Sequence, residues 1–174
     1  MCLNTEIMAY ILSKDLPLNS YDEWQSGWSR YCAYLESVKN RLPLSAYEFA
    51  SAPWHYDFND HRAPHDGWLA EAIIREPASG ERKQYRSLEI VVKLLGAYHD
   101  GHIELKYSKV QNYSLACGEQ IGSGHDDWLS DEIRLSDRGY VLHEIEWSRG
   151  SCWLIECSDV SYKWMPLGPL KNAS

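Results

Sequence analysis

Imidazoles and carboxylates crowd into one stretch of this chain, where His55, Asp57, Asp60, His61, His65 and Asp66 follow in close succession. These donor types suit Zn, Mn or Fe, and a loop can fold several of them around one ion. His125, Asp126 and Asp127 would complete such a site if the two regions faced each other. The candidate metal ligands are therefore His61, His65, Asp66, His125 and Asp126, and a metal-dependent hydrolase using them is one reading. Against it, no His pair sits at ligand spacing on a predicted helix and no Cys pair accompanies them. The competing reading is structural: each His-Asp pair closes the turn into a strand, the Asp accepting backbone N–H bonds and the His packing beside a Trp.

Other catalytic templates lack their minimum parts. The chain has no G-x-S-x-G elbow, no G-x-G-x-x-G and no P-loop, so nucleophile-elbow, dinucleotide and Walker-type readings fall away. Glu144, Glu146 and Glu156 offer carboxylates for acid–base work, but Glu144 and Glu146 alternate with Leu142 and Ile145 as on the solvated face of a strand. The five cysteines, at 2, 32, 117, 152 and 157, form an odd set without framework spacing. Reduced thiols are expected of them.

Recognition has more direct support. Asp126, Asp127, Asp131 and Glu132 surround Trp128 in one short segment, and Glu144, Glu146 and Trp147 can join from a neighbouring strand. Asp126, Asp127, Trp128, Asp131, Glu132, Glu144 and Glu146 form the expected contact surface, acidic around an aromatic anchor, which suits a basic protein partner. The formal net charge of −8, from 25 acidic against 17 basic residues, argues against nucleic acid or an anionic membrane as partner. Eight Trp and twelve Tyr against two Phe give most rings a polar handle, which suits wet interfaces.

The elements that position these residues change character along the chain. Ser20-Tyr21-Asp22-Glu23 reads as a capping box, and Trp24, Trp28, Tyr31, Leu35 and Val38 continue as one helical stripe to about Asn40, stopped by Pro43. A short second helix is expected over Ser45 to Ala50, started by Ser45 and Glu48, before a loop from Ala52 to Pro64. From Trp68 onward the pattern is strands and turns, with hairpins over residues 87–107 and 140–157 and a frayed tail from Pro166. His65-Asp66-Gly67-Trp68-Leu69 matches His125-Asp126-Asp127-Trp128-Leu129 at an offset of 60 residues. The hairpins that follow end alike, in Tyr107-Ser108-Lys109-Val110 and Cys157-Ser158-Asp159-Val160. Two related three-stranded units, about six strands in all, are predicted for residues 65–115 and 125–164.

A capped helix ending in Arg41-Leu42-Pro43, a strand start at His65-Asp66-Gly67 and a chain of hairpins together resemble a loose group of uncharacterised bacterial small proteins, some of them immunity-like proteins of polymorphic toxin systems. The resemblance spans roughly residues 15 to 164. It implies a cytoplasmic protein that neutralises a cognate toxin by binding it, and it brings no catalytic residue. The duplicated His-Asp-x-Trp-Leu departs from that pattern.

The expectation is one domain over residues 1–174 in the α+β class: a helical front over 15–51 packed on a mainly antiparallel β body over 65–164. With no apolar run long enough to span a membrane and no secretory signal at Met1 to Leu12, a cytoplasmic location is expected. The leading function is a non-catalytic inhibitor that occludes a basic toxin. It needs no cofactor and no nucleic acid, and self-association stays open. A metal-dependent hydrolase and a structural or assembly protein are the alternatives.

Overall fold

The stripe of apolar residues predicted for the front of the chain forms helix α1 (Tyr21–Val38), on which Tyr31, Leu35 and Val38 are buried. The computed structural model describes residues 11–12, 21–117 and 124–168, the side chains of 21–25 excepted. The capping box at Ser20 and the side chain of Trp24 lie outside the described residues. The backbone amides of Arg41 and Leu42 turn back onto the Val38 carbonyl at 2.8 and 3.0 Å, and Pro43 opens α2 (Leu44–Ala50). Ser45 does not cap this helix. Its hydroxyl is taken by Asp159 at 2.6 Å, so the expected capping box gives way to a tertiary bond.

The β body has ten strands among the described residues rather than about six: β1 (Trp68–Arg75), β2 (Ala78–Ser79), β3 (Tyr85–Arg86), β4 (Glu89–Leu95), β5 (Gly101–Ser108), β6 (Asn112–Leu115), β7 (Trp128–Leu135), β8 (Val141–Trp147), β9 (Cys152–Cys157) and β10 (Asp159–Pro166). The fold is α+β, with N-terminal helices on an antiparallel β body of two related units. The first sheet runs β1-β4-β5-β10, the second β6-β9-β8-β7, and β2 with β3 forms a separate two-stranded ribbon.

The two sheets share a plan. Each begins with a three-stranded meander, β1-β4-β5 or β7-β8-β9, and each first strand carries an irregularity just after its Trp. Beyond it the registers coincide. Glu71 faces Lys93 as Asp131 faces Ile145, and Ile73 faces Val91 as Ile133 faces His143. Arg75 faces Glu89 as Leu135 faces Val141. After its third strand, each unit crosses to the other sheet: β6 pairs with β9, and β10 pairs with β5. The similar endings at Val110 and Val160 mark these crossings, and both valines are buried. Each sheet is thus completed by a strand from the other unit. Side chains from both sheets and both helices merge into one core, with Trp128, Trp147 and Trp153 packed edge to face at 5.6 and 4.9 Å.

The units differ in what covers their first strand. Residues of β7 are nearly all buried, whereas those of β1 are exposed or half-buried on both faces. Helix α1 makes the difference, laying Tyr31 and Tyr34 along the outer edge of β7. The Tyr31 hydroxyl accepts from the Ile133 amide at 2.9 Å and donates to the Ile133 carbonyl at 3.1 Å, and Tyr34 accepts from the Leu135 amide at 2.8 Å. Among the described residues no helix is long and apolar enough to cross a membrane.

Candidate functional site

Two places gather the chemically capable side chains: a buried network around Asp131 and an exposed seam where the two units meet. Asp131 was expected at the surface, but it is 1% exposed. Its carboxylate accepts from Trp128 Nε1 at 3.1 Å, from His55 Nε2 at 2.9 Å and from His143 Nε2 at 2.9 Å. Burial alone would raise the pKa of this acid, but the His55 and His143 imidazoles beside it hold it well below the usual carboxylate range. His55 also points Nδ1 at the Phe49 carbonyl, 2.8 Å away. Each ring nitrogen of His55 thus faces an oxygen, the Asp131 carboxylate on one side and the Phe49 carbonyl on the other. His143 points Nδ1 at the Tyr107 hydroxyl, 2.8 Å away, so one ring proton on Nε2 serves it. The Tyr56 hydroxyl donates to the Asp131 carbonyl at 3.0 Å, closing the network.

The rest of the expected contact surface is largely interior as well. Trp128 and Glu132 are fully buried. The Glu132 carboxylate accepts from the backbone amides of Ile11 and Leu12 at 3.1 and 2.7 Å and pairs with Arg134 at 2.8 Å. Burial raises its pKa despite those partners. Glu144 is half-buried and held by Arg134 at 2.5 Å, and Glu146 is half-buried with the Ser130 hydroxyl at 3.5 Å. Asp126 is buried and paired with Arg149 at 3.2 Å. Of the seven, Asp127 alone is exposed. The correction has a simple cause: one face of strand β7 is covered by His55 and His143, which bond Asp131, and the other by Ile11 and Leu12, which bond Glu132, so its acids pair inside.

The duplicated motifs meet across the seam. The Asp66 amide donates to the Trp128 carbonyl at 2.8 Å, and the Trp128 amide donates to the Gly67 carbonyl at 3.0 Å. A Cβ on Gly67 would lie 2.8 Å from the Pro64 carbonyl oxygen, so the tight turn that leads into β1 needs glycine. Asp66 takes φ 58°, the left-handed turn conformation. The two His-Asp pairs are not used alike. His65 Nδ1 donates to the Leu129 carbonyl at 2.8 Å, with its ring stacked on Phe58. His125 packs against Trp147 and Trp153, and its Nδ1 is shut from solvent with no hydrogen-bond partner among the described residues. Burial lowers its pKa, so it is neutral at neutral pH.

The candidate ligands do not converge. His61 pairs with Asp100 at 2.5 Å, His65 is committed to Leu129, and Asp126 to Arg149. Among the described residues no group of three or more His, Cys, Asp or Glu is arranged to hold a metal.

What the seam does present is a continuous surface of exposed rings. Trp68 is 50% exposed and meets the His99 ring edge-on at 4.5 Å. Tyr98, next in the chain, stacks on His61 and donates to the Phe58 carbonyl at 3.2 Å. Phe58 is 53% exposed and stacks on His65, which is bonded to exposed Leu129. Asp57, Asp66, Asp100 and Asp127 are exposed around these rings. Beside Trp68 opens a groove of about 360 Å³ lined by Leu69, His125, Asp126, Asp127 and Arg149. A half-exposed Trp in a ring cluster rimmed by carboxylates can dock an apolar anchor and attract a cation. Sequence reasoning missed Phe58, Trp68, Tyr98 and His99, and the duplicated Trp was the only signal for them. Comparison with protein families, with curated proteins and with solved structures finds no match.

Proposed function

We propose that this protein is a non-catalytic binding protein of the immunity type, acting in the cytoplasm by covering a basic protein toxin. The seam surface is its contact face, with Trp68 as anchor and Asp127, Asp66 and Asp100 as the acidic rim. The observation that carries this reading is Trp68, half-exposed among stacked rings while its counterpart Trp128 is wholly buried. A large ring left in water at a site rimmed by acids gains most when a partner covers it. The net charge of −8 adds long-range attraction for a basic partner. The interior acids and imidazoles are occupied with one another, which favours binding over catalysis as the work of the surface.

The test is titration of the purified protein against basic proteins encoded beside its gene. Trp68→Ala is expected to weaken binding by about 30-fold, the loss of about 2 kcal/mol typical of a central anchor. Asp127→Lys is expected to slow association and flatten its salt dependence. Wild-type binding by both variants would sink the assignment of this face.

A further inference from the structure

The groove beside Trp68 combines an aromatic ring with unequal charge. Trp68 faces Asp127 across a short antiparallel bridge where the duplicated motifs meet, and residues opposed in this way carry their side chains on the same face. Trp68 is 50% exposed and Asp127 is exposed, so an open indole and an open carboxylate border the same space of about 360 Å³. That volume lies at the small end of ligand sites, about 300–1,000 Å³, and it suits one long side chain better than a folded segment. Asp126 and Arg149 also line the groove, paired with each other at 3.2 Å. Asp126 is buried while the Arg149 side chain is 63% exposed, so the groove already holds a guanidinium of its own. His125 adds no charge at neutral pH, because burial lowers its pKa. Among the described lining residues, two carboxylates stand against one guanidinium, which leaves one negative charge uncompensated.

We infer that this groove is a seat for one arginine side chain of the partner protein, its guanidinium laid on Trp68 and paired with Asp127. The inference rests on the reading of the seam as the contact face and names what that face recognises. Arginine fits the seat better than lysine. Its guanidinium is planar, stacks on an indole face and is less strongly hydrated than an ammonium, so less hydration is lost when it enters. The Asp126–Arg149 pair sets the field at the seat. Without Arg149 the groove gains negative charge, and without the charge of Asp126 the guanidinium of Arg149 repels the guest.

The probe is Nα-acetyl-arginine N-methylamide, a lone arginine side chain without backbone charges, titrated into the whole chain while the indole N–H resonances are followed by NMR. The Trp68 resonance is the one missing from Trp68→Phe. It is expected to shift saturably in the wild type, and the citrulline analogue, similar in shape and uncharged, should bind at least about tenfold more weakly. Asp127→Asn, a change at an exposed position, should weaken probe binding about tenfold, and Arg149→Ala should tighten it about threefold, in variants whose other indole resonances keep their native positions. A wild type without a saturable shift would overturn the inference. So would equal binding of the arginine and citrulline analogues, or folded variants that bind the probe as the wild type does. Free arginine binding more than about tenfold tighter than the blocked form would also overturn it, because the groove would then suit a small molecule carrying its own α charges. The inference and the reading beneath it fail separately. Probe binding with no basic protein partner would leave the arginine seat standing and remove the toxin-inhibitor reading, whereas toxin binding that needs Trp68, with no probe binding, would remove the seat alone.

Discussion

Asp131 keeps a negative charge in the interior because His55, His143 and Trp128 all donate to it there. A buried charge of this kind is tolerable only while every partner is in place. Replacing it by Asn keeps the shape but turns an amide N–H2 toward donors and removes the charge that His55, His143 and Trp128 surround. Asp131→Asn should cost about 3–5 kcal/mol, read as a fall in the urea midpoint. The pH dependence carries a definite sign. A carboxyl whose folded pKa is depressed contributes stability above its unfolded value, about 3.9, and loses that contribution as pH falls through the folded value. Acid titration below about pH 4 should therefore destabilise the wild type more steeply than Asp131→Asn. Glu132 works in the opposite direction, since burial raises its pKa and its ionised form is the penalised one. Parallel acid profiles for wild type and Asp131→Asn would show that Asp131 is not the group that titrates.

At the scale of elements, α1 acts as the cover of a sheet edge. Its stripe was legible because the spacing of Trp28, Tyr31, Leu35 and Val38 follows the helical period. That Tyr31 would use its hydroxyl to complete the hydrogen bonding of β7 was not legible, because nothing in a helix's own period says which strand it meets. Burial pushes the Tyr31 phenol well above its ordinary pKa, so it stays protonated and able to donate. Tyr31→Phe keeps the ring and strands both backbone groups of Ile133, which is itself fully buried. The expected cost is about 1–3 kcal/mol, with faster hydrogen exchange at the Ile133 amide as its local signature. Unchanged exchange at Ile133 would mean that the hydroxyl does not carry the edge. The same logic explains the ribbon and the bare β1, whose exposure has no sequence signal: Ile73 and Ile74 look like core residues to any pattern.

The whole molecule is held together by exchange between its units. Strand β6 completes the second sheet and β10 the first, so cutting the chain between the units divides both sheets. Neither fragment, 1–117 nor 124–174, is expected to fold by itself, since each would expose the flank that the other's crossing strand covers. Mixing the two should restore the native circular dichroism spectrum and co-elution as one complex. A fragment that folds alone to a cooperative transition would refute the interdependence. The crossing also sets tight tolerances far from any site. Trp164 of β10 lies directly over Gly101, where an added Cβ would collide with the indole ring.

The sequence by itself determined the two helices, the repeated His-Asp-x-Trp-Leu and the hairpins after it, because these follow from local periodicity and turn chemistry. Tertiary structure alone decided which of two matching Trp residues is exposed and which is core, and whether an acid faces water or a buried imidazole. Trp68 and Trp128 sit in nearly identical local sequence, yet 50% of one and none of the other is exposed. The physical reason is packing between segments distant in sequence: Trp128 lies against Trp147 and His143 and bonds Asp131, while Trp68 stands at the seam against the His99 ring.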